Sequence, residues 1–187
     1  MRTSQALGPW LAVAVAAHLA VGCTAALAEI PQAVQFYGII LAYAAPAAVG
    51  LAAAGRLTPG RALAFAALVV VANGLAVTAT LAAAPRLDDP IWKIVQTGAL
   101  GGLVGAALSL FGLIALSGAR PSARMLLAAA GGSAILSALG GGLCLAAVAD
   151  SLPLSKALAL PVVLYLPWQV VFSPVVAWLS SPRDGSS

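Results

Sequence analysis

His18, Asn73 and Gln169 each stand in the middle of a long run of Ala, Leu, Val and Gly. A polar side chain in such surroundings is costly unless a partner or a ligand takes up its hydrogen bonds. Tyr43, Ser109 and Ser137 lie at similar distances into runs of their own, so one polar layer crossing several stacked segments is expected. An imidazole, two carboxamides, a phenol and hydroxyls, with no carboxylate, amine or guanidinium among them, suit a neutral or weakly polar small molecule held between helices. The same groups also serve as hydrogen-bonding glue between helices with no ligand at all, at about 0.6 kcal/mol per contact.

The last apolar run carries the densest chemistry. Pro161, Pro167 and Pro174 interrupt it, and the latter two leave the carbonyls of Val163 and Val170 without their usual helical donors. Tyr165, Gln169 and Ser173 recur every four residues and so share one helical face, with Trp168 beside them at a depth unsuited to interfacial anchoring. A broken helix with free carbonyls, a phenol, an amide and an indole makes a candidate ligand wall, although proline kinks also arise for packing alone. Pro46 similarly frees the Ala42 carbonyl, one turn from Tyr43. The candidate ligand-binding residues are therefore His18, Tyr43, Asn73, Tyr165, Trp168, Gln169 and Ser173, grouped between the first, second, third and sixth runs.

Other chemistries lack their residues. His18 is the only histidine, so a bis-histidine haem is excluded, and with Cys23 and Cys144 it makes a poor zinc set. The two cysteines read as small buried hydrophobes, with a disulfide between them as the alternative in an oxidising compartment. No nucleophile elbow or orienting carboxylate accompanies His18 and the serines. Gly140, Gly141 and Gly142 follow no strand and precede no lysine, so they do not form a phosphate loop. No catalytic residue, metal or cofactor is assigned. With no acid or base inside any run, a self-sufficient proton-coupled pump is disfavoured as well.

The elements that must position these groups are six charge-free stretches: Leu11–Ala28, Gln35–Ala54, Ala62–Ala84, Ile94–Ser117, Met125–Ala149 and Ala157–Leu179. Each is long enough for a helix to cross about 30 Å of hydrocarbon, and none alternates as a barrel strand would. Charged residues make up 7% of the chain, too few to clothe a soluble domain. The expected fold is thus all-α: a polytopic integral membrane bundle of six transmembrane helices forming a single domain over residues 1–187. Arg2, Arg56, Arg61, Arg120, Arg124 and Arg183 are six of the nine basic residues, and all fall on one side if the spans alternate. The bias of basic residues toward cytoplasmic loops then places both termini inside, N-in and C-in. Trp10, Phe36, Tyr37, Trp92 and Trp178 sit where an interfacial aromatic belt is expected. The net charge of +4 reads as a topology signal, and no clustered basic face points to nucleic acid.

Gly98, Gly102 and Ala106, Gly101 and Gly105, and Ser133, Ser137 and Gly141 follow small-xxx-small spacing, so the fourth and fifth helices are expected to pack closely as scaffold. They are also the candidate surface for self-association. Ala26-Leu27-Ala28 before Glu29 has the look of a signal cleavage site, but the apolar run before it exceeds the usual length, and the first span is expected to be retained. The Gly-, Pro- and Arg-containing ends of the second, fourth and sixth runs echo one another, a pattern that common helix-stop chemistry also produces.

The sequence thus points to a small multi-pass protein of a bacterial cytoplasmic (inner) membrane, with transport or binding of a neutral or weakly polar molecule as its expected role and the lipid bilayer as its first partner. The alternative is a non-catalytic accessory or assembly subunit of a larger membrane complex, for which the polar layer is interhelical glue. Enzymatic activity is not the reading taken.

Overall fold

The computed structural model describes residues 7–28, 32–83, 90–118, 120–148 and 166–181. Among them lie six helices and no other regular element: α1 (Leu7–Leu27), α2 (Gln32–Ala53), α3 (Pro59–Ala83), α4 (Pro90–Ser117), α5 (Ala123–Val148) and α6 (Leu166–Leu179). The all-helical reading is borne out. Four of these helices, α1, α3, α4 and α5, are long and apolar enough to cross a membrane. Among the described residues, the apolar stretches Tyr37–Ala53 of α2 and Leu166–Leu179 of α6 are shorter.

Several helices begin before the charge-free stretches do, because capping chemistry sets their starts. Thr58 precedes α3, with Pro59 as its first residue, and the Arg61 amide donates to Thr58 Oγ1 at 3.5 Å. Ser122 does the same for α5, receiving the Met125 amide at 3.3 Å. α4 starts at Pro90, which brings Lys93 into its first turn. α2 ends in a Schellman motif: the Arg56 amide donates to Leu51 O at 2.8 Å, the Gly55 amide donates to Ala52 O at 3.0 Å, and Gly55 takes a φ of 68°. Gly118 closes α4 with a φ of 70°.

Each helix packs against its sequence neighbours, and α6 returns to touch α1 and also α4, closing a ring. Neighbours run antiparallel. Trp10 and Leu7, at the start of α1, fill the space beside Gly50, near the end of α2; a Cβ there would lie 2.8 Å from Trp10 Cγ. The Arg61 guanidinium at the start of α3 donates to Ser117 O at the end of α4, at 3.3 Å. Val175, near the end of α6, lies against Gly132 in the first half of α5. The α1 start, the α2–α3 and α4–α5 connections and the α6 end therefore share one end of the bundle.

The bundle carries large apolar side chains outside as well as inside: Phe65, Leu51, Leu110 and Leu136 are fully buried. Ala14, Ala44, Ala47, Ala72, Ala106 and Ala129 are fully buried, whereas Leu63, Leu127, Ile91 and Ile135 are 60–72% exposed. Helices that are apolar on every side are those of a membrane span or a deep core, and these face outward. Small residues inside let the backbones approach. The tightest case is α4 against α5: a Cβ on Gly102 would lie 2.5 Å from Leu136 O, one on Gly98 would lie 2.6 Å from Cys144 Sγ, and Ser137 Oγ donates across the contact to Ala99 O at 2.8 Å. The small faces of these two helices are turned to each other within the chain.

Candidate functional site

Four of the predicted site residues come together where α1, α2 and α6 meet. His18 and Tyr43 are fully buried, and Gln169 and Ser173 nearly so. Each of the first three lies roughly ten residues in from the shared end of the bundle, about 15 Å of helical rise. Ser173 Oγ donates to Gln169 O at 2.8 Å, the bond a serine commonly makes to the preceding turn. Its one hydrogen being so used, the Tyr43 hydroxyl donates to Ser173 Oγ across the 3.0 Å that separates them. The backbone of Ile39 is a polar neighbour of the His18 ring. Gln169 Oε1 has no hydrogen-bond partner among the described residues, and Ser109 Oγ on α4 is likewise unpartnered.

Aromatic rings continue from this cluster across the bundle. His18 meets Tyr43 edge-on, with centroids 6.3 Å apart; Phe172 tilts against Tyr43 at 5.9 Å; Trp168 stacks on Phe172 at 4.9 Å. Contacts at these separations favour the offset and edge-to-face arrangements of aromatic pairs. Pro46 and Pro174 sit inside α2 and α6 without ending either helix. Tyr165, Pro161 and Val163 lie outside the described residues.

Trp168 is also the α6 wall of a cavity of about 170 Å³. α3 contributes Asn73, Ala76, Val77 and Thr80; α4 contributes Thr97 and four glycines, Gly98, Gly101, Gly102 and Gly105; Gly140 and Cys144 come from α5. Asn73 is thus separated from the His18 cluster with which the sequence grouped it. The core face of α3 runs Phe65, Val69, Ala72 and Ala76, and Asn73 is one residue, about 100° of helical rotation, past Ala72, which turns it toward α4. The single midplane layer of the sequence reading is therefore two features: a packed cluster at α1, α2 and α6, and a cavity among α3, α4, α5 and α6, joined by the Phe172–Trp168 stack.

The cavity has few polar groups and no charged one among its lining residues. Asn73 Nδ2 donates to Val69 O at 2.8 Å. Thr80 Oγ1 donates to Ala76 O at 2.8 Å and lies 3.1 Å from Thr97 O; Thr97 Oγ1 donates to Lys93 O at 2.7 Å. Glycines make the space. Gly105 faces it with only ordinary contacts, a Cβ there lying 3.6 Å from Ala76 Cβ and 4.0 Å from Trp168 Cζ2.

Thr80, Thr97, the place of Cys144 on the cavity wall and the role of Gly105 were not among the residues that depth and shared face in the last apolar run singled out. The signal was spacing: Asn73, Val77 and Thr80 share one face of α3, and Thr97, Gly101 and Gly105 share one face of α4. A second opening, a shallow groove of about 470 Å³ between α1 and α6, is lined by apolar residues such as Leu11, Val15, Leu19 and Val170, with Ser173 as its polar member. Cys23 and Cys144 are both free thiols. No group of His, Cys, Asp and Glu capable of holding a metal occurs among the described residues.

No family model matches the chain, and neither a curated protein nor a solved structure matches it at a significant level.

Proposed function

We propose that this chain is a six-span membrane protein, both termini cytoplasmic, that binds a small neutral molecule in the cavity among α3, α4, α5 and α6. The observation that carries the reading is the cavity itself. Membrane helices pack through small residues, and glycines on adjoining helices normally close such spaces. Here Gly105 lines one that stays open beside an amide, two hydroxyls and an indole. An apolar pocket with a few convergent polar groups is the usual form of a small-molecule site. A charged ligand would lose its hydration with no counter-charge on the wall, so a neutral or weakly polar one is favoured.

Passage of the molecule across a bacterial inner membrane, or its transfer to a partner protein, is the role that goes with such a site. The accessory-subunit reading has its own supporting observation: Tyr43 and Ser173 satisfy one another, as interhelical glue does.

Native mass spectrometry of the protein purified in mild detergent separates the two. A small molecule retained by the wild type and lost from Gly105→Leu, whose isobutyl group would enter the cavity, is expected. Stoichiometric protein subunits with no small molecule would replace this reading by the accessory one.

A further inference from the structure

We infer that the ligand of this cavity is an uncharged, single-ring molecule that donates a hydrogen bond, of the size and kind of a phenol. The inference rests on the reading of the cavity as a binding site and adds its chemical class. Size comes first: about 170 Å³ is close to the roughly 150 Å³ of an engineered apolar cavity that holds one benzene. Trp168 supplies an aromatic surface, and its stacking on Phe172 fixes the indole in place. Gly105 on α4 lines the same space with no side chain of its own, and Ala76 and Val77 on α3 add apolar wall.

Polarity comes from the hydrogen bonds already made. A hydroxyl has one hydrogen, and those of Thr80 and Thr97 are directed at backbone carbonyls, Ala76 O or Thr97 O for Thr80 and Lys93 O or Ile94 O for Thr97. What each can still offer a ligand is an acceptor lone pair. Asn73 adds an acceptor in its side-chain carbonyl, and the remaining donors are its second N–H and the Trp168 indole N–H. The α3–α4 wall formed by Thr80 and Thr97 is therefore acceptor-only. A ligand group lying there must donate, and an ether or ketone oxygen in that place would meet lone pairs with no hydrogen between them.

The test uses the full chain in mild detergent with Cys23→Ser, so that Cys144 on the cavity wall is the one thiol. The rate of its alkylation by N-ethylmaleimide is measured against phenol, toluene and benzoate, which share a ring and differ in donor or charge. In parallel, emission is followed in a variant whose only indole is Trp168. Phenol is expected to act at concentrations about two- to tenfold lower than toluene, the equivalent of one net hydrogen bond, and benzoate not at all. Thr80→Val or Thr97→Val should narrow the phenol–toluene gap. Equal action of phenol and toluene would overturn the donor requirement, and action by benzoate would overturn the neutral class. Silence of both readouts with phenol and toluene would overturn the ring class, while a molecule retained in native purification and lost from Gly105→Leu would still uphold binding in the cavity.

Discussion

At the scale of single residues, the Tyr43–Ser173 contact is asymmetric, and the asymmetry is measurable. Tyr43→Phe keeps the ring that packs on His18 and Phe172 and leaves Ser173 still bonded to Gln169 O. Ser173→Ala instead strands the buried Tyr43 hydroxyl. Removing one partner so that the other is left unsatisfied costs about 1–3 kcal/mol, against about 0.5–1.5 for the bond alone. Thermal unfolding in detergent should therefore place Ser173→Ala below Tyr43→Phe in stability; the reverse order would show that the tyrosine hydroxyl has another acceptor. Gln169→Leu removes a buried acceptor that has no partner among the described residues, at similar bulk. Its stability is expected to equal or exceed the wild type, and a loss of more than about 1 kcal/mol would reveal a hydrogen bond to the Gln169 amide. The sharing of one face by Gln169 and Ser173 was legible in the sequence because a helix fixes it locally. That Tyr43 joins them while Asn73 does not was illegible, since it depends on how α2 and α3 are rotated against their neighbours.

At the scale of elements, the glycines of α4 divide by direction, and spacing alone does not say which way each set points. Gly98 and Gly102 lie against α5 backbone, whereas a Cβ on Gly105 would meet only Ala76 and Trp168, at ordinary van der Waals distances on the cavity wall. Gly102→Leu has no room without driving α4 and α5 apart, and overpacking of this kind typically costs about 1–3 kcal/mol or more. Gly105→Leu has the cavity to enter. Expression level and melting temperature should fall for Gly102→Leu and hold for Gly105→Leu, with ligand retention lost in the latter. Equal damage by both would mean that the cavity wall is as tightly packed as the α4–α5 contact. The close packing of α4 and α5 was readable from small-xxx-small spacing, whereas the helix starts were not read from charge alone, because capping by Thr58 and Ser122 begins α3 and α5 ahead of the charge-free stretches. The cavity was not readable, because the sequence marks where side chains are small, and only the packing of all four surrounding helices decides whether a neighbour fills the space.

At the scale of the whole molecule, the outward display of Leu63, Leu127 and Ile135 suits a lipid solvent, and the orientation proposed within it rests on where the arginines lie. Arg56 and Arg61 flank the α2–α3 connection, Arg120 and Arg124 the α4–α5 connection, and the Arg61–Ser117 hydrogen bond holds the two connections at one end. Four guanidinium groups in and beside two short connections, with no acid among them, are what cytoplasmic retention of basic residues selects. Single cysteines introduced into a background lacking Cys23 and Cys144 report this directly. Positions Gly60 and Ala123 are expected to resist a membrane-impermeant maleimide in intact cells and to react after permeabilisation, whereas Asp89 and Ser151, on the opposite connections of a six-span chain, are expected to react without it. Labelling at Gly60 and Ala123 in intact cells would reverse the orientation. Protection at Asp89 together with Gly60 would show that α3 does not cross the bilayer, and with it the depth assigned to Asn73 and to the cavity would fall.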